Sequence, residues 1–148
     1  MAANVTTYLK SVSRAGFGSG LASGKISCEV TLGGAFSSAN DRAELFMFAT
    51  PHVFLACGIE VVKPTTNAIT VSIGINSADA GSATTLAGEL ATNGAAGTIL
   101  ASKVPTNEVV NPATAAGGDN VVVLEVSGDP GAAGVIRVWA IVADPKTT

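Results

Sequence analysis

Histidine occurs once in this chain, at His52, glutamine not at all, and cysteine, tryptophan and tyrosine contribute two, one and one of 148 residues. With a single imidazole, any Ser-His-Asp or Cys-His mechanism must use His52, and neither a GxSxG nor a Cys-Gly signature accompanies it. His52 follows Pro51 at the entry to a predicted strand, which reads as a surface or edge position. The expectation is that the protein is not an enzyme. Cys28 and Cys57 lie far apart with no CxxC, so they match neither a zinc site nor a disulfide-dense scaffold. Charge is equally scarce. Charged residues are 13% of the chain and the net charge is −3, so neither nucleic acid nor an anionic membrane surface is drawn to the molecule as a whole. No stretch reaches the ~18 apolar residues of a membrane-spanning helix. The N-terminus carries Lys10 and Arg14 but lacks the apolar run of a signal peptide, so the expected protein begins near Met1 in a reducing cytoplasm.

No metal or cofactor is expected. Asp41, Asp79, Asp119, Asp129 and Asp144 stand singly among turn residues, whereas a calcium loop concentrates carboxylates at alternating positions. They read as turn and cap residues. Gly16, Gly18 and Gly20 invite a phosphate-loop reading, but the third glycine of GxGxxG would fall at Leu21 and no strong strand precedes it, which leaves a linker.

What is present is alanine, valine, threonine, serine and 17 glycines, in a length that suits one domain. Residues 1–24 interleave glycine and serine without hydrophobic period and read as a flexible N-terminal arm. Three bases and no acid fall in residues 1–25, against five bases and eleven acids beyond them. The arm is expected to add little stability and to serve docking, through Lys10 and Arg14 and burial of Tyr8, Leu9 or Phe17.

Residues 25–148 form the predicted domain. Here the period becomes two, the signature of strands with one buried face. Ile26, Cys28, Val30 and Leu32 alternate with Lys25, Ser27, Glu29 and Thr31; residues 44–48, 53–61, 69–75, 121–126 and 135–142 supply further runs. Both cysteines fall on the apolar side and are expected to be reduced, buried thiols. Short strands are predicted at 98–103 and 108–110, and a helical turn at 84–91, where Leu86 and Leu90 are four apart. The SGDPG segment at 127–131 reads as the turn of a hairpin joining the last two strands. Several strands without long helices between them predict an all-β fold, an antiparallel β-sandwich or jelly roll with an extended N-terminal arm. The last strand is apolar on both faces, with Val135, Arg137, Trp139 and Ile141 opposite Ile136, Val138, Ala140 and Val142. Its second face is expected to be covered or offered to another chain, with Arg137 and Trp139 as contact residues.

The stretches ANDRAELF (39–46), HVFLACGIEVV (52–62), AITVSIGIN with SADA after it (68–80) and GVIRVWAIVAD (134–144) together resemble small virion proteins of tailed bacteriophages. The likeness is to capsid decoration, or cement, proteins built on a β-sandwich or jelly roll, and it spans residues 25–144. It implies a mechanical role: copies, usually trimers, bind the outer surface of the shell and bridge major capsid protein subunits. The implied location is the virion, after synthesis in the host cytoplasm. The family has no catalytic residue to carry over. The competing expectation is a fibre-base or adhesin-like virion protein that binds a host surface glycan.

Overall fold

The alternating runs become ten strands: β1 (Val5–Val12), β2 (Ser23–Thr31), β3 (Arg42–Phe48), β4 (His52–Lys63), β5 (Thr70–Asn76), β6 (Thr84–Ala91), β7 (Ile99–Lys103), β8 (Val109–Val110), β9 (Val121–Val126) and β10 (Val135–Ala143). The structure, a computed structural model, describes residues 5–12, 23–39, 41–48, 52–76, 84–103, 109–110 and 121–143, and contains no helix among them. One sheet has the order β1-β3-β9-β5-β6; the other is β2-β10-β4-β7, with β8 also paired to β4. Every pairing is antiparallel except β1 with β3. Leaving aside β1 and β8, the two orders β3-β9-β5-β6 and β2-β10-β4-β7 are those of an eight-stranded jelly roll.

The core lies between the sheets. Ile136, Val138, Ala140 and Val142 of β10 alternate inward and join Val30, Phe54, Cys57 and Ile59 of their own sheet and Leu32 just beyond β2. Ala43, Phe46, Val71, Ile73, Val122, Leu124 and Val126 close on them from the other sheet. Burying each large side chain contributes about 1.5–3 kcal/mol.

Two expectations are corrected. The 127–134 segment does not turn a hairpin: β9 pairs with β3 and β5, β10 with β2 and β4, so the link crosses from one sheet to the other. Turn dipeptides reverse the chain but do not dictate which sheet the next strand enters. Thr84–Ala91 is strand β6, not a helical turn. Its register against β5 slips twice, between the partners of Val71 and Ile73 and again between those of Ile73 and Gly74. Each slip places an extra residue on β6, so Ala87 and Leu90 are both buried though three apart, a spacing that imitates a helix. At the first slip Glu89 sits at φ 57°, in the left-handed region. Glu89→Gly should stabilise the fold by about 0.5 kcal/mol and Glu89→Val should destabilise it by about 1–2 kcal/mol, read from denaturant midpoints. Within residues 1–24, Val5–Val12 forms an edge strand along β3, and Ser23 and Gly24 belong to β2. Valine, threonine, tyrosine and leucine favour a strand here, while a register shift between Thr7 and Lys10 erases the period. A truncation after Gly24 therefore removes one strand and cuts into another.

At one end of the sandwich the 32–41, 64–69, 92–98 and 127–134 connections interlock. Thr65 and Thr92 are buried with their hydroxyls 2.7 Å apart, and Thr65 Oγ1 also lies 2.7 Å from the Asn67 carbonyl. The Asn67 N–H donates to Pro130 O and its side-chain amide to Asp129 O, while the Ala133 N–H donates to Thr66 Oγ1. Asp41 and Asp129 are the turn residues expected: Asp41 Oδ2 accepts the N–H groups of Ser37 and Ser38, and Asp129 Oδ1 that of Gly131. Asp79, Asp119, Asp144 and the glycines at 16–20 lie outside the described residues.

Candidate interaction face

The outer face of the β2-β10-β4-β7 sheet is organised by register. Trp139 of β10 stands opposite Ser27 of β2 and Gly58 of β4, forming a middle row. Two residues along the strand in one direction, Arg137 stands between Glu29 and Glu60; two in the other, Ile141 stands between Lys25 and Ala56. These residues share one face because side chains two apart along a strand point the same way.

Arg137 is therefore held between two carboxylates. Its Nη1 donates to Glu60 Oε1 at 2.8 Å and its Nη2 to Glu29 Oε2 at 3.3 Å. The Glu60 bond is shorter and its side chain less exposed, 33% against 57% for Glu29. Arg137 and Glu60 form a near-neutral unit, and Glu29 is the loosely engaged carboxylate. Lys25 Nζ lies 6.0 Å from the Trp139 ring centroid, at the outer limit of a cation–π contact. The outward side chains of β10 are all half-buried. The apolar second face is thus patterned, an aromatic centre with charge of opposite sign on either side along β2. Gly58 adds no side chain, leaving the indole the bulkiest feature of the row.

The opposite sheet carries a second arginine on its outer side. Arg42 stands opposite Glu125, with Nε 2.9 Å from Oε2, while its Nη1 is buried with no hydrogen-bond partner among the described residues.

Of the six contact residues read from the sequence, the four among the described residues lie on two different sheets. Arg137 and Trp139 are neighbours on the face just described. Tyr8 and Lys10 belong to β1 at the edge of the other sheet, with Lys10 in register with Phe46. Arg14 and Phe17 lie outside the described residues. The sequence reading did not assign Lys25, Glu29, Glu60 or Ile141 to a site. Lys25 and Glu29 did carry a signal, since both fall on the polar side of the predicted β2. Glu60 carried none, because its pairing to Arg137 spans 77 residues.

Neither Cys28 nor Cys57 is in a disulfide; Cys57 is buried and Cys28 half-buried, and they flank β10 from either side, opposite Val138 and Ala140. Among the described residues no three His, Cys, Asp or Glu side chains cluster to hold a metal ion. In comparisons with known proteins, no family model and no curated protein matches the chain.

Proposed function

We propose that this protein is a virion structural protein that binds the outer surface of a tailed-phage capsid and stabilises the shell by bridging major capsid protein subunits. The observation that carries the reading is the jelly-roll strand order, the architecture implied by the resemblance of residues 25–144. Jelly rolls recur in viral capsid and lectin domains, so the fold supports the proposal by analogy only. The patterned face around Trp139 gives the body a surface suited to protein contact, and its paired charges favour specificity over raw affinity. In this role the protein works as a homo-oligomer, the trimer being the form the resemblance implies. A lattice multiplies weak contacts: each copy bridging two or three sites gains effective concentration without one large interface.

Copy number decides it. Quantitative mass spectrometry of purified virions should find hundreds of copies per particle, and shells stripped of the protein should disrupt at lower temperature and recover on adding it back. A few copies per particle would favour the glycan-binding fibre-base reading, and absence from the particle would overturn both.

A further inference from the structure

We infer that the outer face of the β2-β10-β4-β7 sheet is a two-fold interface between copies of this chain, with Trp139 on the axis and Lys25 of each copy paired to Glu29 of the other. Lys25 and Glu29 lie two residues on either side of Ser27, and Ser27 is the β2 residue in register with Trp139. Consider a two-fold axis lying in the plane of the interface along the Ser27–Trp139–Gly58 row. It leaves that row facing itself and exchanges the rows on either side. Glu29 then faces the second copy's Lys25 and Lys25 its Glu29, so both pairs are attractive. The Arg137–Glu60 unit, already neutralised within its own chain, comes over Ile141 and Ala56. An axis running along the strands instead would set Glu29 and Glu60 toward the second copy's own glutamates, which is repulsive. Of these two aligned stackings, the charge pattern selects the first.

A closed two-fold contact of this kind is self-complementary by symmetry, residue i meeting j and j meeting i. Two such faces stack as aligned sheets do. Four strands at ~4.8 Å and the length of β10 at ~3.3 Å per residue outline a patch of roughly 600 Å². That is below the ~800 Å² per partner of a standard interface, so the association is reversible and concentration-dependent. The indole at its centre is the side chain expected to dominate it. The inference concerns the free protein and stands whether or not it binds a shell; it replaces the trimer that the resemblance implies with a dimer.

The test is sedimentation equilibrium on the full chain from 1 to 500 µM with Lys25→Glu, Glu29→Lys and Trp139→Thr. The wild type should weigh as a dimer at the upper end, and each variant should associate at least 10-fold more weakly. Mixing Lys25→Glu with Glu29→Lys at 1:1 should restore the dimer, because every cross-copy pair in the mixed species is again opposite in sign. Thermal melts check that the variants fold. Should Glu29→Lys unfold, Glu29→Gln and Lys25→Glu each still have to weaken the dimer. A wild type that stays monomeric or weighs as a trimer overturns the inference. So do single variants that dimerise like the wild type, or a mixture of folded variants that stays monomeric.

Discussion

Gly33→Ala should destabilise the free protein by about 3 kcal/mol or more, lowering its melting temperature by roughly 10 °C. A Cβ at this position would lie 2.4 Å from the Ala133 carbonyl carbon, 2.5 Å from its Cα and 2.7 Å from the Ala132 oxygen. All three are main-chain atoms, so no side chain can swing aside to admit the methyl group. The opposing backbone is tied in place, because the N–H groups of Leu32 and Gly33 both donate to Gly134 O, at 2.8 and 3.1 Å, and that of Gly34 donates to Gly131 O at 3.1 Å. Moving the 131–134 segment to make room breaks those bonds and pulls on the contacts of Thr65 and Thr66 behind it. Gly34→Ala is the control. Its Cβ would meet nothing within 4 Å, but its φ of +77° charges an L-residue about 1 kcal/mol. Denaturant unfolding of the two variants should therefore differ by about 2 kcal/mol. Equal effects would show that the close approach at Gly33 is not a constraint.

Alkaline pH should weaken the fold through Cys57. Burial pushes this thiol up from 9.0 to about 12, because the thiolate has no water around it in the core. The unfolded chain loses the proton near pH 9 while the folded chain keeps it. Above pH 9 the native state thus holds more protons than the unfolded state, and stability falls as pH rises. The slope is about 1.4 kcal/mol per pH unit between 9 and 12, reaching about 4 kcal/mol at the upper end. Cys57→Ala should cost about 1 kcal/mol at neutral pH for the lost sulfur contacts, yet decline less steeply than the wild type from pH 9 to 12. Parallel decline of the two proteins over that range would place the alkaline sensitivity elsewhere.

Strands β2, β4, β5, β9 and β10 were legible in the sequence because one face of each is buried in a shared core, and burial on one face writes alternation into the chain. β1 and β6 were not, because extra residues interrupt their register and break the alternation. The sheet to which each strand belongs was also illegible. Alternation gives β9 and β10 the same texture whether they pair or lie in facing layers, and only the tertiary structure separates them. The candidate face was half legible. Arg137 and Trp139 announced themselves by their place on a strand otherwise apolar on both sides. Glu60, which neutralises Arg137, did not, since it reaches it from 77 residues away.

The position of β10 between β2 and β4 orders the events of biosynthesis. Both neighbours leave the ribosome long before the strand that joins them, and until β10 follows, each presents a bare edge and an uncovered apolar face. Native assembly of that sheet therefore waits until β10 has been synthesised and proceeds through contacts of high sequence separation, the regime of slow folding in milliseconds to seconds. In that interval the nascent chain is open to pairing with other copies of itself, and a chain cut short before Val135 should aggregate.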